Sequence, residues 1–190
     1  MRPSRHLFTT RLPSLTLASI IWLSTSLLAN SCTRPQPPST APLPDGGTGL
    51  VAMVDRVTDG DTLTLSFSGA GVERVRLLGI DTPETVKPNS PVECFGPEAS
   101  ARTKHLLPPG TEVLVQRDTE ARDRYGRLLV YLWRRADGLF INETLLADGY
   151  ATILSITPNI AHRPDLARTE QSARRRQLGL WGACTDPAGR

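Results

Sequence analysis

The chain has 190 residues, enough for one ordinary domain with appendages. Its 22 Lys and Arg against 19 Asp and Glu give a formal charge of +3, and that excess sits in residues 1–31, which hold Arg2, Arg5 and Arg11 and no acidic residue. The rest of the chain is balanced, which excludes a protein drawn to polyanions by overall charge; affinity for nucleic acid has to come from local clustering.

Behind those arginines an uncharged apolar run, Leu12 to Ala29, leads to Ala29-Asn30-Ser31 and then Cys32. A basic start, an apolar centre and small residues at a cleavage point describe residues 1–31 as an export signal. If retained, the run is instead a single anchor helix, since its length approaches a bilayer span; Pro13 and several Ser and Thr residues favour cleavage. Cys32 resembles the lipid-modified cysteine of bacterial lipoproteins, with Ala29 standing where that pattern has leucine. The resemblance implies membrane attachment through a lipidated Cys32. The protein is therefore expected outside the cytoplasm: secreted, periplasmic or lipid-anchored at the cell envelope.

Residues 32–49 carry Pro35, Pro37, Pro38, Pro42 and Pro44, then Gly46, Gly47 and Gly49, and read as a Pro/Gly-rich linker. The folded domain is expected over residues 50–184, with 185–190 a C-terminal tail. Within it, Cys94 and Cys184 form an even pair in an oxidising compartment and are candidates for a disulfide. Two free thiols are the alternative; a zinc site lacks its Cys-x-x-Cys or paired histidines.

The domain opens as β structure. Val51 to Val57 is a mixed apolar run, and Leu63, Leu65 and Phe67 alternate with Thr62, Thr64 and Ser66, the period of a half-buried strand. Between them Asp59-Gly60-Asp61-Thr62 makes a hairpin connection, Asp-Gly tolerating positive φ; Asp61 alone reads as a turn residue. A third strand runs from Val72 to Ile80, with Val75 and Leu77 on one face and Arg74 and Arg76 on the other. It ends in Asp81-Thr82-Pro83-Glu84, a turn on composition alone.

A Pro- and Asn-rich loop from Thr85 to Cys94 leads to a helix opened by Gly96-Pro97-Glu98 and stopped at Pro108-Pro109-Gly110. A strand follows at Glu112 to Arg117. Arg122-Asp123-Arg124-Tyr125-Gly126-Arg127 is either a solvent-facing turn or a cationic lip, with Tyr125 able to stack on a base or sugar. Leu128 to Trp133 is a strand, Asp137-Gly138 a turn, and Asn142 an expected N-cap for a helix ending at Gly149. The last helix, Pro164 to Gln177, carries Arg174-Arg175-Arg176, read as a solvated face. Five strands with about three helices predict an α+β domain on a small antiparallel barrel, an architecture that commonly binds oligonucleotides.

Phosphodiester hydrolysis needs an oxygen-coordinated hard cation, guanidinium donors for the phosphate, and a carboxylate to activate or orient water. Asp61 and Asp81 suit the cation, Arg76 and Arg127 the clamps, and Glu84 the base, with Pro83 fixing its backbone entry. Asp59-Gly60-Asp61-Thr62, Arg76-Leu-Leu-Gly-Ile-Asp81-Thr82-Pro83-Glu84-Thr85, Phe95-Gly96-Pro97-Glu98-Ala99-Ser100 and Asp123-Arg124-Tyr125-Gly126-Arg127 resemble, in order and spacing, the staphylococcal nuclease (thermonuclease) family. The resemblance covers about Val51 to Trp181.

It implies an OB-fold β-barrel and a Ca2+-dependent nuclease cutting DNA and RNA between phosphorus and the 5′ oxygen to leave 3′-phosphates. It assigns Ca2+ to the carboxylates of Asp61 and Asp81 and the carbonyl of Thr82, the scissile phosphate to Arg76 and Arg127, the attacking water to Glu84, and a second phosphate to Arg124 and Tyr125. The chain departs from the family where Val86 to Glu93 keeps only Lys87 of a lysine-rich loop, where Ser155 and Thr157 replace tyrosines, and in having Cys94 and Cys184. The competing readings are an exported module that binds nucleic acid without cutting it and a structural lipoprotein domain. No repeat argues for an assembly, so a monomer is expected.

Overall fold

A computed structural model of the chain describes residues 37–85 and 92–185. The apolar run of the expected export signal, Cys32, Lys87 and all but the first residue of the expected C-terminal tail lie outside the described residues. Among those described, no helix is long and apolar enough to cross a membrane.

The elements in order are β1 (Thr40–Pro42), β2 (Thr48–Val57), β3 (Thr62–Phe67), β4 (Gly71–Leu77), β5 (Gly79–Asp81), α1 (Gly96–Leu106), β6 (Glu112–Gln116), β7 (Leu128–Arg134), β8 (Leu139–Phe140), α2 (Ile141–Ala147), β9 (Thr152–Leu154), α3 (Arg163–Arg175) and α4 (Leu180–Ala183). Antiparallel pairing joins β2 to β3 and β3 to β4, and β7 to β6 and β6 back to β2. One parallel pair, β4 with β7, closes the ring. The result is a five-stranded OB-fold with helices packed on it. A parallel pair cannot be joined by a tight turn, and the crossover from β4 to β7 is where β5, α1 and β6 are placed.

Side chains alternate as the period-two pattern requires. Leu63, Leu65, Val75, Leu77, Val113, Val115, Val130 and Leu132 are all buried in one cluster. Ile141, Leu145 and Leu146 of α2 and Leu166 of α3 close the same cluster from the helical side.

Five local expectations are corrected. Pairing begins ten residues before Leu50: Thr40, Ala41 and Pro42 face Leu50, Gly49 and Thr48. Leu43, inside the expected linker, is buried, and its Cδ2 lies 2.7 Å from where a Cβ on Gly49 would stand. Gly46 and Gly47, both at positive φ, form the turn, so glycines read as part of a linker instead permit a tight hairpin. Gly60 is not at positive φ; a Cβ there would meet the Thr82 side chain at 2.5 Å, and close approach is what its position requires.

The expected third strand is broken at Leu78. Gly79, at φ 77°, turns the chain out of the ring, and β5 pairs with β9, opposing Asp81 to Thr152. Asn142 is not a cap: the helix starts after Phe140, and Asn142 is fully buried. Its Oδ1 accepts the Leu132 amide at 3.0 Å, and its Nδ2 donates to the Leu78 carbonyl at 2.8 Å. It satisfies buried backbone groups at the strand break, which an exposed cap residue could not do. Cys94 and Cys184 are disulfide-bonded, 90 residues apart, with Cα atoms 6.0 Å apart.

Candidate active site

The turn before β3, the face of β4 opposite its core side chains Val75 and Leu77, the end of β5, the turn after it, and the loop before β7 meet at one site. Asp61, Arg76, Asp81, Thr82, Glu84, Tyr125 and Arg127 line a single cavity of about 550 Å³ there. Arg124 is not part of that lining. It lies with its guanidinium 4.8 Å from the Tyr125 ring centroid and donates to the Tyr125 hydroxyl at 2.8 Å, while Tyr125 itself is 64% exposed.

Arg76 is the centre of the arrangement. Ladder pairing fixes it on both sides, opposite Thr62 of β3 and Leu129 of β7. Its buried guanidinium contacts the Asp61 carboxylate through Nη1 and donates from Nη2 to Asp81 Oδ1 at 2.6 Å. Asp61 also accepts the Thr62 hydroxyl at 3.0 Å and the Thr82 amide at 3.1 Å, which ties the start of β3 to the turn after β5. Burial pushes the Asp81 carboxyl above its usual range and the charge of Asp61 adds to this, against the opposing pull of Arg76.

Arg127 is held differently. Asp123 Oδ2 accepts its Nε at 2.7 Å, Asp123 Oδ1 accepts its amide at 2.9 Å, and its Nη1 reaches the Thr62 hydroxyl at 3.2 Å. Asp123 also accepts the Tyr125 amide at 2.9 Å, so one carboxylate shapes the whole turn. Burial works to raise the Asp123 carboxyl, but its bonds from Arg127 and Tyr125 outweigh that and hold it below its usual range.

Glu84 depends on neighbours with no role in the sequence reading. Its amide donates to Glu93 Oε2 at 3.0 Å, and its carbonyl accepts the Glu93 amide at 3.0 Å. Next to it, Thr85 donates from its hydroxyl to Asp59 Oδ1 at 2.7 Å and from its amide to Asp59 Oδ2 at 3.3 Å. Burial works to raise Asp59, yet hydrogen bonds with Glu84 and Thr85 bring its carboxyl below the usual range. At Gly96 a Cβ would stand 3.0 Å from the Glu84 carbonyl, so glycine lets the start of α1 pack directly on this turn. From the same helix Thr103 donates to the Gly60 carbonyl at 2.6 Å. Asp59 and Asp123 stood within recognisable motifs and strand alternation put Arg74 on the face of Arg76; Glu93 and Thr103 carried no signal, because only the fold brings them here.

The donor chemistry suits a divalent cation. Asp61 and Asp81 offer hard carboxylate oxygens, and among the described residues no thiol or imidazole lines the cavity. Five carboxylates, Asp59, Asp61, Asp81, Glu84 and Glu93, face three arginines, Arg74, Arg76 and Arg127, leaving an excess of two negative charges. No cluster of three or more acidic, thiol or imidazole groups poised for a metal occurs among the described residues; the expected set needs only two carboxylates and a backbone carbonyl.

Residues 74–183 match the family described as staphylococcal nuclease homologue. The chain belongs to that family. It is 42% identical over 129 residues to the thermonuclease of Staphylococcus intermedius, covering 68% of this chain and 74% of that protein. It is 41% identical over 129 residues to the SPbeta prophage-derived endonuclease YokF of Bacillus subtilis (strain 168), covering 67% of this chain and 43% of that protein. Against the thermonuclease of Staphylococcus hyicus the identity is 37% over 128 residues, 67% of this chain and 73% of that protein. In this staphylococcal nuclease family member all five charged positions of the expected site are present in one cavity.

Proposed function

We propose that this nuclease, a phosphodiester hydrolase of nucleic acids, is Ca2+-dependent and cuts DNA and RNA at the bond from phosphorus to the 5′ oxygen, leaving 3′-phosphates. The observation that carries the reading is the convergence of Asp61, Arg76, Asp81, Glu84 and Arg127, from separate parts of the chain, on one cavity. Asp61 and Asp81, with the Thr82 carbonyl, are the groups that hold the cation. When bound, Ca2+ supplies positive charge to offset that of the phosphate.

The remaining work falls to the chain's own residues. Arg76, on β4, and Arg127, in the turn before β7, donate to the non-bridging phosphate oxygens, stabilising the charge that grows on them as the bond breaks. Glu84 accepts a proton from the attacking water or orients it. Arg124 and Tyr125 hold a second phosphate of the nucleotide. Asp123 keeps the Arg127 fork in one orientation, reducing the reorganisation needed when substrate arrives.

The test is degradation of single- and double-stranded DNA and RNA by the purified chain in calcium, in magnesium and in a calcium chelator, with end-group analysis. Calcium-dependent cutting with 3′-phosphate ends is the expected result. Binding without cutting by folded, oxidised protein overturns it.

Export of the chain is supported by the composition of residues 1–31 and by the Cys94–Cys184 disulfide, which suits an oxidising compartment. The mass of the mature N-terminus tests both cleavage and lipid attachment at Cys32. A monomer is tested by its sedimentation.

A further inference from the structure

Arg74 brings a third guanidinium to the cavity. It stands two residues before Arg76 on β4, so the strand repeat puts both side chains on one face, about 6.6–6.8 Å apart along the strand. The three arginines differ in what they already hold. Arg76 is buried between Asp61 and Asp81, and Arg127 is held by Asp123. Arg74 is exposed and has no hydrogen-bond or ion-pair partner among the described residues.

Its neighbour Glu73 does not neutralise it. Both Glu73 oxygens accept from Arg122, at 2.7 and 2.9 Å. Arg74 therefore keeps its full charge and its fork of donors at the rim of the cleft. Most exposed arginines are solvated surface charges, but few share a strand face and a cavity with a buried arginine that is already set to meet a phosphate.

We propose that Arg74 holds a further backbone phosphate next to the one that is cut, in addition to the one assigned to Arg124 and Tyr125, so that the site takes at least three consecutive phosphates of a polynucleotide chain. The inference rests on the reading that Arg76 and Arg127 hold the scissile phosphate. The separation of Arg74 and Arg76 along the strand is comparable to that of neighbouring phosphates on an extended single strand, and a shallow rim position leaves room for a chain to continue.

Two measurements on the full chain carrying Arg74→Ala test this, beside the parent and Arg76→Ala. The first is binding of a short single-stranded oligonucleotide, in calcium chelator, as a function of salt. One lost phosphate contact lowers the slope of log affinity against log salt by about 0.7. The second is the ratio of kcat/KM for that oligonucleotide to kcat/KM for a dinucleotide with a single diester. Loss of one charge-assisted contact lowers the ratio roughly ten- to a hundredfold, and Arg74→Lys recovers most of the slope.

An unchanged ratio overturns the inference, even if the slope falls, because any surface cation lowers the slope. If Arg74→Ala changes neither quantity while Arg76→Ala is inactive, Arg74 is a surface charge and the site reading stands. If Arg76→Ala cuts as well as the parent, the site reading fails first and this inference with it.

Discussion

Arg76 and Glu84 are eight residues apart and are held in opposite ways. Arg76 belongs to the wall of the barrel: two neighbouring strands fix its backbone, and two carboxylates fix its guanidinium. Glu84 belongs to a turn that hangs from separate ties, namely two hydrogen bonds to Glu93, the Asp59–Thr85 pair beside it, and the disulfide one residue beyond Glu93. Arg76, the proposed phosphate clamp, is thus built into the fold's stability, whereas Glu84, proposed to act on water, is positioned by contacts that can be cut one at a time.

The most severe way to break that contrast is Arg76→Ala. It leaves Asp61 buried without its counter-charge, which costs about 3–5 kcal/mol of stability, and it removes a phosphate clamp worth about 3–4 kcal/mol in the transition state. Melting temperature and turnover should fall together. Retention of parental stability would separate the clamp from the scaffold and contradict the comparison.

Glu84→Ser should affect the rate alone. Hydrolysis is expected to drop by about 10²–10⁴-fold while oligonucleotide affinity and melting temperature stay close to those of the parent. Unchanged cutting would remove Glu84 from the mechanism.

The disulfide sharpens the contrast, because it closes a loop with a sequence separation of 90. Replacing both cysteines with serine should lower stability by roughly 4 kcal/mol, measured by denaturation. Because Cys94 follows Glu93, turnover should also fall several-fold at temperatures where the protein remains folded, with oligonucleotide affinity little changed. A loss of affinity equal to the loss of rate would show that the disulfide supports the barrel wall as much as the turn.

The smallest effect is at Asp123, whose carboxyl is held below its ordinary value of 3.8 against the opposing effect of burial. A carboxylate with a lowered folded-state pKa contributes stability above 3.8 and loses it as pH falls through the folded value. Melting temperature followed down through that window should therefore decline more steeply in the parent than in Asp123→Asn. Equal slopes would mean that Arg127 does not depend on Asp123 for its place.

The sequence reading reached the barrel strands because alternation is a local signal: Leu63, Leu65 and Phe67 mark one face whatever they pack against. It reached the site charges because they stand in motifs at strand ends. It missed the hairpin at Thr40–Pro42 because proline-rich composition describes what a segment lacks, whereas Leu43 is buried in a core cluster that includes Leu114, more than seventy residues away. It placed Asn142 as a cap because its local pattern is that of a cap; the polar groups it satisfies lie on β7 and at the end of β4.

By itself the sequence determined the strand periodicity, the even pair of cysteines and the identity of the charged groups available for phosphate chemistry. The tertiary structure decided how those groups are used. Arg74 and Arg76 share a strand, a face and a residue type, and a sequence cannot distinguish them. The turn before β3 brings Asp61 to one, the break at Gly79 brings Asp81 to the same one, and the other is left open to solvent. Charge pairing acts over a few ångströms in space, and only the closed ring sets those distances.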